Sequence, residues 1–171
     1  MLSRTSFARR VALASAALTG IALLGSAPAQ AATQTATPVC DNVCVLDVRS
    51  GAHADFDRVV IDLAGGRPVT RADESDSPSY VLPSGDVKDL QTPGSSYLFL
   101  GLQGAGIVDT TGKKVYTSPD VVATNLSAVK GVQRIPDSEG QVGFGLSLGS
   151  HSRYSVFTLT APDRVVVDVY R

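Results

Sequence analysis

The sequence predicts an all-β protein: an antiparallel β-sandwich of about seven or more short strands, placed behind an N-terminal export segment. Three observations carry that expectation. Apolar and polar residues alternate with period two in one run after another, pairs of Gly, Pro, Asp and Thr punctuate the runs, and no stretch sustains a helical stripe. The nearest helical candidate, Pro119–Val129, is interrupted by Ser, Thr and Asn residues of low helix propensity.

In chain order, the first element is a targeting segment. Arg4, Arg9 and Arg10 form a basic start, an apolar run follows from Val11 to Gly25, and Ala29-Gln30-Ala31 supplies a small-x-small cleavage site. These are the three regions of a secretory signal peptide, so residues 1–31 are excluded from the fold. The apolar run is about 15 residues, short of the roughly 20 that span a bilayer. Arg9-Arg10 leaves the twin-arginine route open, but the flanking residues favour general secretion. Residues 32–43 then form a flexible leader, and residues 44–171 the folded domain.

The first predicted strand is Val43–Arg49, and Phe56–Leu63 is the second, ended by Gly65-Gly66. Tyr97–Leu102, Val129–Ile135, Val142–Leu148, Tyr154–Leu159 and Arg164–Tyr170 complete the set. Pro93-Gly94, Thr111-Gly112, Glu139-Gly140 and Pro162-Asp163 supply the turns. Arg67–Thr92 is the least regular stretch, and Asp73–Pro78 reads as an exposed loop. No linker divides the chain into two domains.

Composition narrows the function classes. The 171 residues carry 15 Lys+Arg against 16 Asp+Glu, a formal charge of −1, with 18% charged and 43% hydrophobic residues. That balance excludes a strongly basic nucleic-acid binder and a disordered polyacidic tail. Signal cleavage removes three arginines and no acid, which takes the charge from −1 to −4. A global electrostatic grip on acidic wall polymers is therefore disfavoured, although a local basic patch is compatible with it. Cys40 and Cys44 are the only cysteines, and in an oxidising compartment they read as one disulfide. Two thiols are too few for a zinc site, and the context before Cys40 is not that of a lipidated cysteine.

One motif occurs twice. Asp57-Arg58-Val59-Val60-Ile61-Asp62-Leu63 recurs as Asp163-Arg164-Val165-Val166-Val167-Asp168-Val169. Alternation places Val59, Ile61 and Leu63, or Val165, Val167 and Val169, on a core face, and the Arg-Val-Asp triplets on the other. If the two strands are antiparallel neighbours with Val60 opposite Val166, Arg58 faces Asp168 and Asp62 faces Arg164. A parallel arrangement in that register would set arginine against arginine, so antiparallel or non-adjacent placement is expected.

Candidate chemistry is sparse. His53, Asp55 and Asp57 could present three ligands to one side of an extended segment, but no second acidic cluster completes a metal site. The simpler reading packs His53 on Phe56 and lets Asp57 hydrogen-bond the loop. Ser150-His151-Ser152 sets hydroxyls beside a histidine, yet neighbours in an extended segment point apart. There is no Gly-x-Ser-x-Gly elbow, and two histidines are too few for a zinc hydrolase. The glycines of Gly101–Gly106 lack the following helix and lysine of a phosphate cradle. No enzyme activity and no cofactor is expected. Tyr80, Tyr97, Tyr116 and Arg153 are candidates to stack on or hydrogen-bond a sugar or peptide, with an ordinary rim or core position the alternative for at least half of them, and the ligand itself is not identified by the sequence.

The run Gly51-Ala52-His53-Ala54-Asp55-Phe56-Asp57-Arg58-Val59-Val60-Ile61-Asp62-Leu63 resembles the opening motif of the AMIN-like domain of secreted actinobacterial proteins. Tyr154–Leu159 with Pro162–Val169 is similar to that family's C-terminal strands, and Glu139–Leu146 to its penultimate hairpin. The resemblance covers about Cys44–Arg171. It departs at Gly65-Gly66-Arg67-Pro68, where many relatives have a Pro-Gly-Tyr-type segment, and in lacking the lipidation context many relatives carry. By this resemblance His53, Phe56, Asp57, Arg58, Asp62, Asp163, Arg164 and Asp168 are motif residues with a structural role. It implies a secreted, non-catalytic module, extracellular or wall-associated, that binds peptidoglycan or another envelope component. The alternatives are a protein-interaction module that docks a partner through a sheet edge or apolar patch, and a small hydrolase. The exported chain is expected to be a monomer without a membrane span and without nucleic-acid partners.

Overall fold

The computed structural model describes residues 37–138 and 140–171; the predicted signal, the leader up to residue 36 and Glu139 lie outside them. The described residues contain twelve strands and no helix. In chain order these are β1 (Val43–Ala52), β2 (Phe56–Ala64), β3 (Val69–Ser75), β4 (Ser79–Val81), β5 (Val87–Asp89) and β6 (Ser96–Gln103). There follow β7 (Ala105–Gly106), β8 (Val121–Ala123), β9 (Val129–Ser138), β10 (Gln141–Leu148), β11 (Arg153–Leu159) and β12 (Arg164–Tyr170). Gly65 and Gly66, with φ of 85° and 128°, end β2 in a conformation that side chains rarely adopt.

Five strands form a first sheet in the order β11-β12-β2-β1-β7, and five form a second in the order β3-β6-β10-β9-β8. The remaining pair, β4 and β5, is a separate hairpin. Neighbouring strands are antiparallel except β1 and β7, whose two-residue pairing is parallel. Alternation sends Val59, Ile61 and Leu63 of β2 inward with Val165, Val167 and Val169 of β12. Val142, Phe144, Leu146 and Leu148 of β10, each 0% exposed, meet them from the second sheet in one continuous core. Each such side chain contributes roughly 1.5–3 kcal/mol by leaving water, which makes this interface the main source of stability. The Cys40–Cys44 disulfide, with Cα atoms 5.5 Å apart, fixes the entry into β1.

The stretch expected to be irregular is a correction. Val69–Ser75 is a seven-residue edge strand of the second sheet, paired along its length with β6, so Asp73, Glu74 and Ser75 belong to a strand rather than a loop. The reason is its edge position: only Ala72 packs against the core, while Arg71 and Asp73 face solvent, and the apolar signal is correspondingly faint. After the β4–β5 hairpin the chain straps back across the outer surface of the second sheet. Leu90 packs over Gly145 and Thr92 over Gly131, where a Cβ on either glycine would collide with them. Buried Gln133 accepts a hydrogen bond from the Gln91 amide (2.8 Å) and donates to the Tyr80 hydroxyl (3.1 Å), and Ser147 donates to the Thr92 carbonyl (2.6 Å).

One charged group stands inside this sandwich. Asp57 lies on the inward face of β2 with 0% exposure. Its Oδ2 accepts the amides of Ala128 (2.6 Å) and Val129 (3.2 Å), which lead into β9 of the second sheet. Its Oδ1 accepts from Arg171 Nη2 at 2.7 Å, and Arg171 also donates to the carbonyls of Ala54 and His53 and to Ser127 Oγ. The carboxylate thus ties β2 to the other sheet, and not to the loop of its own hairpin as the sequence suggested. Burial alone would push the Asp57 carboxyl up, but the hydrogen bonds from Arg171, Ala128 and Val129 outweigh it and hold the group below its ordinary value. A folded-state value lowered in this way gives stability that is fully present above the unfolded carboxylate range and is lost as the pH falls through the folded value. Asp57→Ala is expected to cost about 3–5 kcal/mol in denaturant unfolding at pH 7, because the arginine and two amides lose their partner. Asp57→Asn is expected to flatten the fall in melting temperature below about pH 4 relative to the native protein.

Candidate functional site

The repeated motif lies on adjacent strands. β2 and β12 pair antiparallel with Val60 opposite Val166, Arg58 opposite Asp168 and Asp62 opposite Arg164; of the two placements left open by the sequence, antiparallel or non-adjacent, the first is found. Arg58 grips Asp168 with two parallel bonds of 2.7 Å, and its guanidinium stands 5.1 Å from the Phe56 ring centre and 5.6 Å from that of Phe157. The second expected pair does not form. Asp62 lies between two strands, and Arg49 of β1 takes it in a two-bond fork at 3.0 and 3.1 Å. Arg164 sits beside the turn instead and donates to the Pro162 carbonyl at 3.1 Å. The two motif copies also diverge at their first acid: Asp57 is the buried tie, whereas Asp163 offers its backbone carbonyl to the Leu63 amide.

The remaining motif side chains continue this outer surface. His53 stacks on Phe56 with centroids 4.5 Å apart, Phe56 meets Tyr170 at 5.3 Å, and Arg153 covers Tyr170 at 3.5 Å. His53, Asp55 and Asp57 do not converge, and the described residues hold no group of three or more His, Cys, Asp or Glu side chains suited to a metal. Ser150-His151-Ser152 does not assemble either. His151 Nε2 lies 3.2 Å from Glu74 and its Nδ1 3.1 Å from the Gly149 carbonyl, while Ser152 donates to the Arg171 carbonyl at 3.1 Å. Of the tyrosine candidates for ligand contact, Tyr97 and Tyr116 are buried at 7% and 3% exposure and take the core alternative that the sequence left open. Tyr97 donates to the Gly94 carbonyl, and burial pushes the Tyr116 hydroxyl up to about 12. Tyr80 is the one that reaches an open site.

That site is a groove of about 690 Å³ between the β4–β5 hairpin and the outer surface of the second sheet. Its floor is the pair Gly101 and Gly143, which face each other on β6 and β10. A Cβ on Gly101 would come within 2.8 Å of Gln141 Nε2, and one on Gly143 within 3.0 Å of Ile135 Cβ. Phe99 continues the floor, Tyr80 stands on the hairpin side, and Ile135 with Pro136 forms an apolar end. Arg71, Asp73, Gln103 and Gln141 supply polar groups, and the structure records no side-chain hydrogen bond or ion pair for them among the described residues. A volume of this size lies within the usual range for small-molecule sites.

A family model for the AMIN-like domain matches residues 43–171, from the first residue of β1 through the end of β12. The chain belongs to the AMIN-like domain family. Neither a curated protein nor a solved structure gave a match. AMIN-like domains occur in secreted or envelope proteins and are generally non-catalytic binding modules. In this AMIN-like domain Arg58 and Asp168 answer one another within the first sheet, and Arg71, Asp73, Gln103 and Gln141 lie together at the groove on the opposite surface of the sandwich. The described residues contain no helix long and apolar enough to cross a membrane.

The AMIN-like motif was visible in the sequence, whereas most of the groove was not. Its one signal was β10, where Gly143, Gly145 and Ser147 occupy every outward position between large inward residues. Such a shaved surface marks a place where something lies close to the backbone. The motif pair itself should respond unequally to truncation. Arg58→Ala leaves the Asp168 carboxylate, 5% exposed, without a partner and is expected to cost about 2–3 kcal/mol. Asp168→Ala frees an arginine side chain already 30% exposed and is expected to cost roughly half as much, both read by denaturant unfolding.

Proposed function

We propose that this protein is exported by residues 1–31 and acts as a secreted, non-catalytic accessory module that associates with the cell envelope, and with peptidoglycan in particular. The observation that carries the reading is the groove over Gly101 and Gly143, where Arg71, Asp73, Gln103 and Gln141 have no side-chain hydrogen bond or ion pair among the described residues. Family membership supports the envelope context. The Cys40–Cys44 disulfide supports an oxidising compartment, where such bonds persist. The scattered positions of the histidines and serines support a binding role rather than hydrolysis, since nucleophile, base and orienting group must meet within hydrogen-bond reach.

Sedimentation with purified, protein-free peptidoglycan tests the proposal. The exported protein is expected to pellet with the polymer at physiological salt and to remain bound at high salt, because the reading rests on no net charge attraction. Recovery in the supernatant at the level of an unrelated secreted protein would reject it.

A further inference from the structure

The chemistry of the groove narrows what it can hold. Its two charged groups, Arg71 and Asp73, stand two residues apart on the outward side of β3 and offset one another. A groove with no net charge offers little to a phosphate polymer or a polycation. An extended peptide would need free backbone groups to pair with, and the floor has none to give. β6 is bonded to β3 and β10, and β10 to β6 and β9, so neither floor strand has an open edge. An apolar ligand would cover the amides and charges of the lining without satisfying them, at a cost for each.

What remains is a ligand that carries its own hydroxyl and amide groups and presents a flat face. Gln103 and Gln141 each offer two donors and an acceptor on a planar amide, Arg71 donates in a fork, and Asp73 accepts. Tyr80 already accepts from Gln133 through its hydroxyl oxygen, so its proton is available to donate. The Gln141 amide lies over Gly101 and Ile135 over Gly143, which keeps the floor low beside Phe99 for a ring to rest on, and Ile135 with Pro136 provides an apolar contact for a methyl group. We infer that the groove over Gly101 and Gly143 is a saccharide-binding site for an uncharged chain of acetamido sugars, read by Arg71, Asp73, Gln103 and Gln141. The inference rests on the envelope-binding reading and assigns it to the glycan strand rather than to the stem peptide.

Titration of the full exported protein with a soluble β-1,4-linked tetramer of N-acetylglucosamine, followed by amide NMR and calorimetry, tests this. The free stem peptide serves as the competing probe. The tetramer is expected to shift the resonances of Gly101 and Gly143 and to leave those of Arg58 and Val166 unmoved. Gly101→Ala raises the floor and displaces only the far end of the Gln141 side chain, so it is expected to weaken binding roughly tenfold or more without lowering the melting temperature. Arg71→Ala, at an exposed edge position, is expected to do the same. Failure of the tetramer to bind, equal binding by both variants, or shifts at the groove with the stem peptide alone would overturn the inference. Where the native protein still pellets with peptidoglycan, those outcomes leave the envelope reading intact. Binding of the tetramer at the groove by a protein that does not pellet would support the inference and reject the peptidoglycan reading.

Discussion

A single carboxylate placed between two hydrophobic sheets is the constraint around which this molecule is organised. Asp57 occupies an inward position of β2 where the pattern otherwise calls for valine or leucine, and it is fully buried. Burying an unpaired charge there would cost more than the neighbouring core residues return. The structure resolves this by bringing three donors to it: two amides from the approach to β9 and the guanidinium of Arg171. Arg171 in turn fastens the β1–β2 turn through the carbonyls of His53 and Ala54. Hydrophobic burial drives the sheets together without fixing how they are aligned; a satisfied buried ion specifies one alignment.

The same economy of charge governs the outer surface of the first sheet. Arg58 and Asp168 hold β2 to β12, and Arg49 and Asp62 hold β1 to β2, so Arg58, Asp62 and Asp168 of the motif are all paired within the sheet. Phe56 and Phe157 flank the Arg58 guanidinium, and Val166 beneath them is fully buried on the surface away from the core. This layer stiffens the sheet that carries the motif. The second sheet is built the opposite way. Its outward positions on β10 are stripped to Gly143, Gly145 and Ser147, which admits the Leu90–Thr92 strap over one half and leaves the groove over the other. One sheet carries the motif charges and the other the groove, and Asp57 connects them.

How far this could be foreseen depends on where the information sits. Strands with a run of large inward residues, such as β2, β10 and β12, announce themselves by alternation, and because Arg and Asp stand symmetrically about a central valine, the charge pattern named the register that β2 and β12 would take as antiparallel neighbours. The pairing of Arg58 with Asp168 followed too, but that of Asp62 with Arg164 did not. A central strand has two neighbours, and pairwise matching of two strands cannot include the third, β1, which brings Arg49. β3 stayed hidden because an edge strand needs few apolar residues, and the groove because its defining residues, Arg71, Phe99 and Gln141, come from strands far apart in sequence. Tyr80, Tyr97 and Tyr116 could not be told apart for a related reason: composition cannot distinguish a tyrosine whose hydroxyl reaches a carbonyl inside the fold from one that lines an open groove.

Amide hydrogen exchange at Ala128 and Val129 tests the role of Asp57 most directly. If the carboxylate fastens the two sheets, both amides should exchange only through global unfolding, with the same opening free energy as the amides of Val59 and Ile61 on β2. Exchange of Ala128 and Val129 through local opening, while β2 stays protected, would show that the sheets hold their alignment without the buried charge.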